Sequence, residues 1–280
     1  MAAFDWPVRD RVLRCGERTH VMGVINVTPD SFSDGGRFFD PEAAVAEGLR
    51  MADEGADLLD VGGESTRPGS DPVAVDDEQS RVLPVIKRLA AEVDIPISID
   101  TRKHEVAAAA LDAGATIVND ISAGGDPDMF GVVRDGGAGL VLMHIKGEPK
   151  TMQQNPTYDD VVREVHDHLA KRVEAAVAAG IGRDRLAVDP GLGFGKTGTH
   201  SLMLMAEIKA FLDLERPVVV GPSRKSFIGA ALGDLPVGER LEGTAAAVAV
   251  MAWQGAHIVR VHDVREMARV VRVVDAIRSA

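Results

Sequence analysis

The chain has 280 residues, of which 45% are apolar and 26% charged, ordinary globular usage that excludes disorder and leaves ample material for a core. Its formal net charge of -12 excludes binding modes that need a basic face, nucleic acid and anionic membranes among them, so an anionic substrate requires a local cluster of cations. The single cysteine, Cys15, excludes an internal disulfide and reads as a spectator thiol in a reducing cytosol.

The first residues alternate charged and apolar groups (Asp5, Arg9, Asp10, Arg11, Arg14), unlike a signal peptide. They read as a short amino-terminal extension of a cytoplasmic protein. No run approaches the roughly 18 apolar residues of a membrane span, and the Asn26-Val27-Thr28 sequon has no meaning without secretion. A repeating unit then begins with the apolar run 21–25. Asp40-Pro41 predicts a capped helix with Ala44, Val45, Leu49 and Ala52 on one face, stopping at Gly55. Gly55-Ala56 leads into a second run, 58–62. In the next helical pattern, Val82 to Leu89, Pro84 predicts a kink or the true helix start. The run 97–99 follows, Gly114-Ala115 leads into 117–120, and Gly137-Ala138 into 140–144. Val161, Val165, Leu169, Val173 and Val177 form a helical stripe that ends at Gly180. Runs 186–188 and 218–220 come next. Gly255-Ala256 leads into 258–262, and Val264, Met267, Val270, Val271 and Val274 form the last stripe.

Glycine tolerates the left-handed end of a helix, and short runs without alternation suit parallel strands covered on both faces. Eight such strands alternating with helices form either a closed barrel or an open doubly wound sheet. No Gly-rich dinucleotide fingerprint follows the first strand, which favours a (β/α)8 TIM barrel: one domain over residues 1–280, with the barrel from about residue 20.

In such a barrel the chemistry sits at the carboxyl ends of the strands. Reading each run to its end yields Asn26; Asp60 with Glu64, Ser65, Thr66 and Arg67; Asp100; Asn119 with Asp120; His144; Asp189; Ser223-Arg224-Lys225; and Arg260 with His262 and Asp263. Asp and Asn also cap helices and build turns, so any one of these alone has a structural reading. Asp60 and Asp120 read as structural, and Asp263 as a helix cap. The set holds no activated nucleophile and no zinc pattern. Asp100, Asn119 and Asp189 suit the donor–acceptor edge of a heterocycle, whereas Asn26, Thr66, Arg67, Arg260 and His262 suit an anion, and a lysine serves either. The turn 191–197 fails as a phosphate loop because Pro190 stands where its first glycine belongs; it reads as backbone approaching a ligand beside Asp189.

Residues 22–36 (MGVINVTPDSFSDGG) and 60–69 (DVGGESTRPG) resemble the two signatures of the dihydropteroate synthases. Further matches follow in family order: IDT at 99–101, NDIS at 119–122, LMH at 142–144, DPGLGFGK at 189–196, SRKS at 223–226 and RVHDV at 260–264. The resemblance implies condensation of 6-hydroxymethyl-7,8-dihydropterin pyrophosphate with p-aminobenzoate. The pyrophosphate would leave first, with Mg2+, and the aromatic amine would then attack. It implies that Asp100, Asn119, Asp189 and Lys225 grip the pterin, that Asn26 contacts the metal-bound pyrophosphate, and that Thr66, Arg260 and His262 bind phosphates. Phe194, Ser223 and Lys225 would form the p-aminobenzoate pocket, with Ser223 opening a helix whose positive end receives the carboxylate. Phe32 and Asp34 would lie on a first mobile loop and Thr66 and Arg67 on a second. Catalytic roles fall to Asn26, Asp34, Thr66, Arg67, Lys225, Arg260 and His262. The family also implies a homodimer. A corrinoid-dependent methyltransferase would share the pterin-gripping acids but has no use for a phosphate site, and a catalytically silent homologue would have lost some of these residues.

Overall fold

The computed structural model describes residues 3–28 and 40–280. The chain opens with an antiparallel hairpin, β1 (Phe4–Val8) and β2 (Arg11–Cys15). The repeat then runs β3 (His20–Asn26), α1 (Pro41–Asp53), β4 (Leu58–Gly62), α2 (Val75–Glu92), β5 (Ile97–Asp100), α3 (His104–Asp112), β6 (Ile117–Asp120), α4 (Met129–Gly136) and β7 (Gly139–Met143). It continues with α5 (Val161–Ala178), β8 (Leu186–Asp189), α6 (Gly198–Ala206), β9 (Val219–Val220), α7 (Ser226–Ala231), α8 (Leu241–Gln254), β10 (Ile258–Val261) and α9 (Val264–Ser279). Eight strands pair in parallel in the order β8-β7-β6-β5-β4-β3-β10-β9, and a bridge between Val188 and Val218 brings the ninth strand's lead-in back to β8. This is the expected (β/α)8 barrel. β9 is short because Pro217 and Pro222, which lack backbone donors, flank it closely.

The predicted caps are in place at α1, where the Asp40 carboxylate accepts from the Glu42 N–H at 3.0 Å, and at α8, which ends on left-handed Gly255. Pro84 does not mark the start of the helix, since α2 starts nine residues earlier and continues through the proline. An interior proline costs about 3 kcal/mol. The fully buried Val82, Val85, Ile86 and Leu89 each contribute about 1.5–3 kcal/mol, so burial wins.

Alternation along the strands sorts the core into two parts. Residues such as Ile25, Leu59, Ile99, Val118, Leu142, Val188 and Val261 face the helices. Residues of the opposite parity, Met22, Leu58, Ile117, Val141, Ala187, Val219 and Ile258, face inward and pack on Trp6, Val8, Leu13 and Cys15 of the hairpin. The amino-terminal extension is therefore a plug for the bottom of the barrel. Trp6 is fully buried and donates its indole N–H to the Arg185 carbonyl at 2.9 Å. At Gly139 a Cβ would lie 2.7 Å from Val8 Cγ1, so β7 admits the plug only because that position lacks a side chain. Burial, with Asp5 nearby, pushes the Cys15 thiol up to about 12, which agrees with an inert thiol. Among the described residues no helix is long and apolar enough to cross a membrane.

Candidate active site

Further along the same strands, the inward positions turn polar. Asn119, Asp189 and Arg260 lie two residues beyond Ile117, Ala187 and Ile258, and Asn26 four beyond Met22, because a period of two carries each strand's inner face from the plug to the mouth; Asp100 ends β5 paired with Asn119. Asp100, Asn119, Asp189, Phe194, Lys225 and Arg260 line one cavity, with Ile121, Met143 and Leu192 as its apolar wall. Arg260 donates through Nε to Asp60 at 2.6 Å and through Nη2 to Asp100 at 2.8 Å. The Asn119 amide donates to the same Asp60 oxygen at 3.0 Å. Asp60 thus holds two lining residues from beneath, and Arg260 is tied to Asp100 rather than standing apart from it.

Burial raises the Asp189 carboxyl to about 6 against the Gly191 N–H, which donates to it at 2.7 Å. Asp100 is also raised by burial; Arg260 pulls it down, and nearby Asp60 opposes that pull. Lys225 is lowered to about 8 by burial and by Arg260. Its ammonium donates to the Leu192 carbonyl at 3.0 Å and lies 4.0 Å from the Phe194 ring centroid.

A second group adjoins the first. His262 follows Arg260 by two residues, and its Nε2 lies 3.5 Å from the Asn26 amide nitrogen. The Ser223 hydroxyl accepts from the His262 backbone N–H at 3.2 Å and lies 3.0 Å from Nδ1. Burial, then Arg260 and Arg224, lower the imidazole to about 3, so the ring is neutral. The Asn26 amide nitrogen can only donate, so Nε2 accepts from it and the ring N–H is Nδ1, donated to the Ser223 hydroxyl. A carboxylate-lined pocket thus adjoins neutral and cationic donors, a layout suited to a ligand with a nitrogenous ring and an anionic tail.

A model of pterin binding enzymes matches residues 22–262. The dihydropteroate synthase of Escherichia coli K12 is 45% identical over 261 residues, 93% of this chain and 92% of that protein. The chain belongs to the dihydropteroate synthase family. Among solved structures, the Xanthomonas albilineans dihydropteroate synthase with 4-aminobenzoic acid superposes with a TM-score of 0.94 at 45% identity, covering 100% of both chains. The same organism's dihydropteroate synthase in complex with 7,8-dihydropteroate gives 0.89 at 43% identity, covering 99% of each.

Not every residue marked by the dihydropteroate synthase signatures lies in the cavity. Phe32 and Asp34 fall outside the described residues. Thr66 is half-buried and Arg67 exposed, and neither is among the lining residues. The base of their loop is anchored: Glu64 accepts from the Val73 N–H at 2.8 Å and from Lys103 at 2.5 Å, and Lys103 also holds the buried Glu78. Burial opposes ionisation of Glu64, but these bonds outweigh it and keep the carboxyl below its ordinary value.

Three expectations change. Asp263 precedes α9 but makes no side-chain cap; it forms an ion pair with Arg224. Ser223 lies three residues before α7 and bonds His262, so it does not open that helix. The glycines of the turn after β8 mostly meet protein: a Cβ at Gly191 would lie 1.9 Å from the His144 carbonyl oxygen, and one at Gly195 2.2 Å from that of Lys146. Sequence reasoning also missed Lys196, buried among His144 and Phe194. A lysine after a glycine turn reads as solvated, and nothing local signals its burial.

Proposed function

We propose that the chain, acting as one unit over residues 1–280, condenses 6-hydroxymethyl-7,8-dihydropterin pyrophosphate with p-aminobenzoate, releasing pyrophosphate and 7,8-dihydropteroate. The observation that carries this reading is the continuity of the Asp100–Asn119–Asp189 pocket with the Arg260–His262–Asn26 group. Ionised Asp189 accepts the hydrogens of the pterin's 2-amino and adjacent ring nitrogens, and Asn119, Asp100 and Lys225 meet the remaining polar edge. The free N–H groups of Arg260 face the pyrophosphate beside His262, with Thr66 and Arg67 reaching it from their loop. Fixed donors of this kind stabilise charge that builds on a departing pyrophosphate, so no protein nucleophile is needed. Phe194, Ser223 and Lys225 border the incoming aromatic amine.

Asn26 contributes a neutral amide oxygen, and the acid–histidine cluster found among the described residues, His104, Glu105 and Asp126, does not include it. That donor set fits Mg2+, which keeps several waters and takes other ligands from substrate phosphates. When bound there, Mg2+ supplies positive charge to the pyrophosphate oxygens. A homodimer agrees with the exposed apolar side chains of neighbouring helices: Leu202 and Met203 on α6, Val250 and Trp253 on α8, and Val273 and Ile277 on α9. A cytoplasmic location agrees with one inert cysteine.

The test is product analysis. Purified protein with Mg2+ and both substrates should form dihydropteroate and pyrophosphate in equal amounts. Folded protein that binds pterin but forms neither product would overturn the reading in favour of a silent homologue.

A further inference from the structure

Four consecutive carbonyls in the turn after β8 each accept a hydrogen bond from a side chain. Leu192 receives Lys225 Nζ at 3.0 Å, Gly193 receives Gln153 Nε2 at 2.5 Å, Phe194 receives Lys196 Nζ at 3.0 Å, and Gly195 receives the Tyr158 hydroxyl at 2.8 Å. Turns of this length ordinarily leave such carbonyls to water. Here donors from three segments of the chain converge on a single turn.

Lys196 is the most demanding of the four. It is only 2% exposed, and burial pushes its amine well below the ordinary lysine value, so its hydrogens need acceptors within the protein. Its partners number three: the Phe194 carbonyl, the His144 carbonyl at 3.3 Å and His144 Nδ1 at 2.8 Å. The His144 ring is available as an acceptor because burial, then Lys196 itself, keep it neutral. That ring also packs edge-on against His168, with centroids 4.8 Å apart. Lys196 therefore ties Phe194 from behind to the end of β7, while Lys225 meets the Phe194 ring from the cavity side at 4.0 Å.

We infer that Lys196 is a positioning residue that holds Phe194 in place as the wall against which the aromatic amine substrate docks. The inference rests on the reading above that Phe194 borders that substrate. Loss of the Lys196 amine frees the Phe194 carbonyl and lets the wall shift, which weakens binding of the aminobenzoate far more than binding of the pterin.

The test compares KM values for both substrates in Lys196→Met, Tyr158→Phe, Gln153→Ala and Phe194→Ala. Lys196→Met should raise the aminobenzoate KM about tenfold, as loss of a buried hydrogen bond does, with the pterin pyrophosphate KM within about twofold. Tyr158→Phe and Gln153→Ala, which remove donors to the same turn nearer the surface, should shift the same ratio by about threefold. Equal rises for both substrates, or a lower Tm with unchanged KM values, would overturn the inference. If Lys196→Met does not fold, an unchanged KM ratio in both milder variants overturns it. An effect of Phe194→Ala on aminobenzoate without one from Lys196→Met rejects this inference alone. No effect of Phe194→Ala rejects the pocket reading and this inference with it.

Discussion

The inward faces of the same strands do different work at their two ends. At the bottom, Met22, Ile117, Val141, Ala187 and Ile258 close on Trp6 and Val8. Two residues along, Asn119, Asp189 and Arg260 face the cavity, with two carboxyls raised by burial and one lysine lowered. The plug gains stability from apolar burial, while the mouth holds desolvated charges that are unfavourable until a ligand pairs them. Stability and reactivity are thus separated along the barrel axis, a division the fold permits because the chemistry belongs to strand ends and loops.

Substitutions at the two ends should separate accordingly, and the largest effect is expected where the division fails. Arg260 belongs to the mouth yet neutralises Asp60 and Asp100, so Arg260→Ala should cost about 3–5 kcal/mol in denaturant unfolding as well as activity. A stable but inactive variant would show that the acids take up protons instead. Trp6→Ala should lower stability by about 3–5 kcal/mol while leaving both KM values unchanged below its unfolding transition. A changed KM would mean that the plug shapes the mouth.

The pH dependence sharpens the contrast. Asp189 must be ionised to accept from the pterin, and it titrates at about 6 in the folded protein. Affinity for a pterin without phosphates should therefore be full above neutrality and fall about tenfold per pH unit below that point. Calorimetric titration from pH 5 to 8 measures this, and a flat profile would remove Asp189 from the role. The smallest effect belongs to the plug: Cys15 should resist alkylation until the protein unfolds, with full activity retained after exposure to the reagent.

Much of the fold was legible in the sequence, and the reasons are local. All eight barrel runs are short, apolar and bounded by glycine or polar residues, so strand identity did not depend on distant partners. The hairpin escaped because Trp6, Val8, Leu13 and Cys15 alternate with exposed residues, and nothing local says that a barrel end awaits them. Pro84 misled as a helix start because its penalty is local while the burial that outweighs it is tertiary. Strand ends placed Asp100, Asn119, Asp189 and Arg260 correctly in one cavity. The Arg260 pairs with Asp60 and Asp100 span 200 and 160 residues, and the burial of Lys196 depends on His144, 52 residues away, so neither was readable from spacing.

The central claim is that one side of the mouth reads a ring and the other holds its anionic tail. Binding of a phosphate-free pterin and of pyrophosphate to Asp189→Asn and His262→Ala tests it most directly. Asp189→Asn should lose pterin affinity by about a hundredfold while pyrophosphate affinity stays within about threefold, and His262→Ala should show the reverse preference. Equal losses for both ligands in both variants would contradict the division.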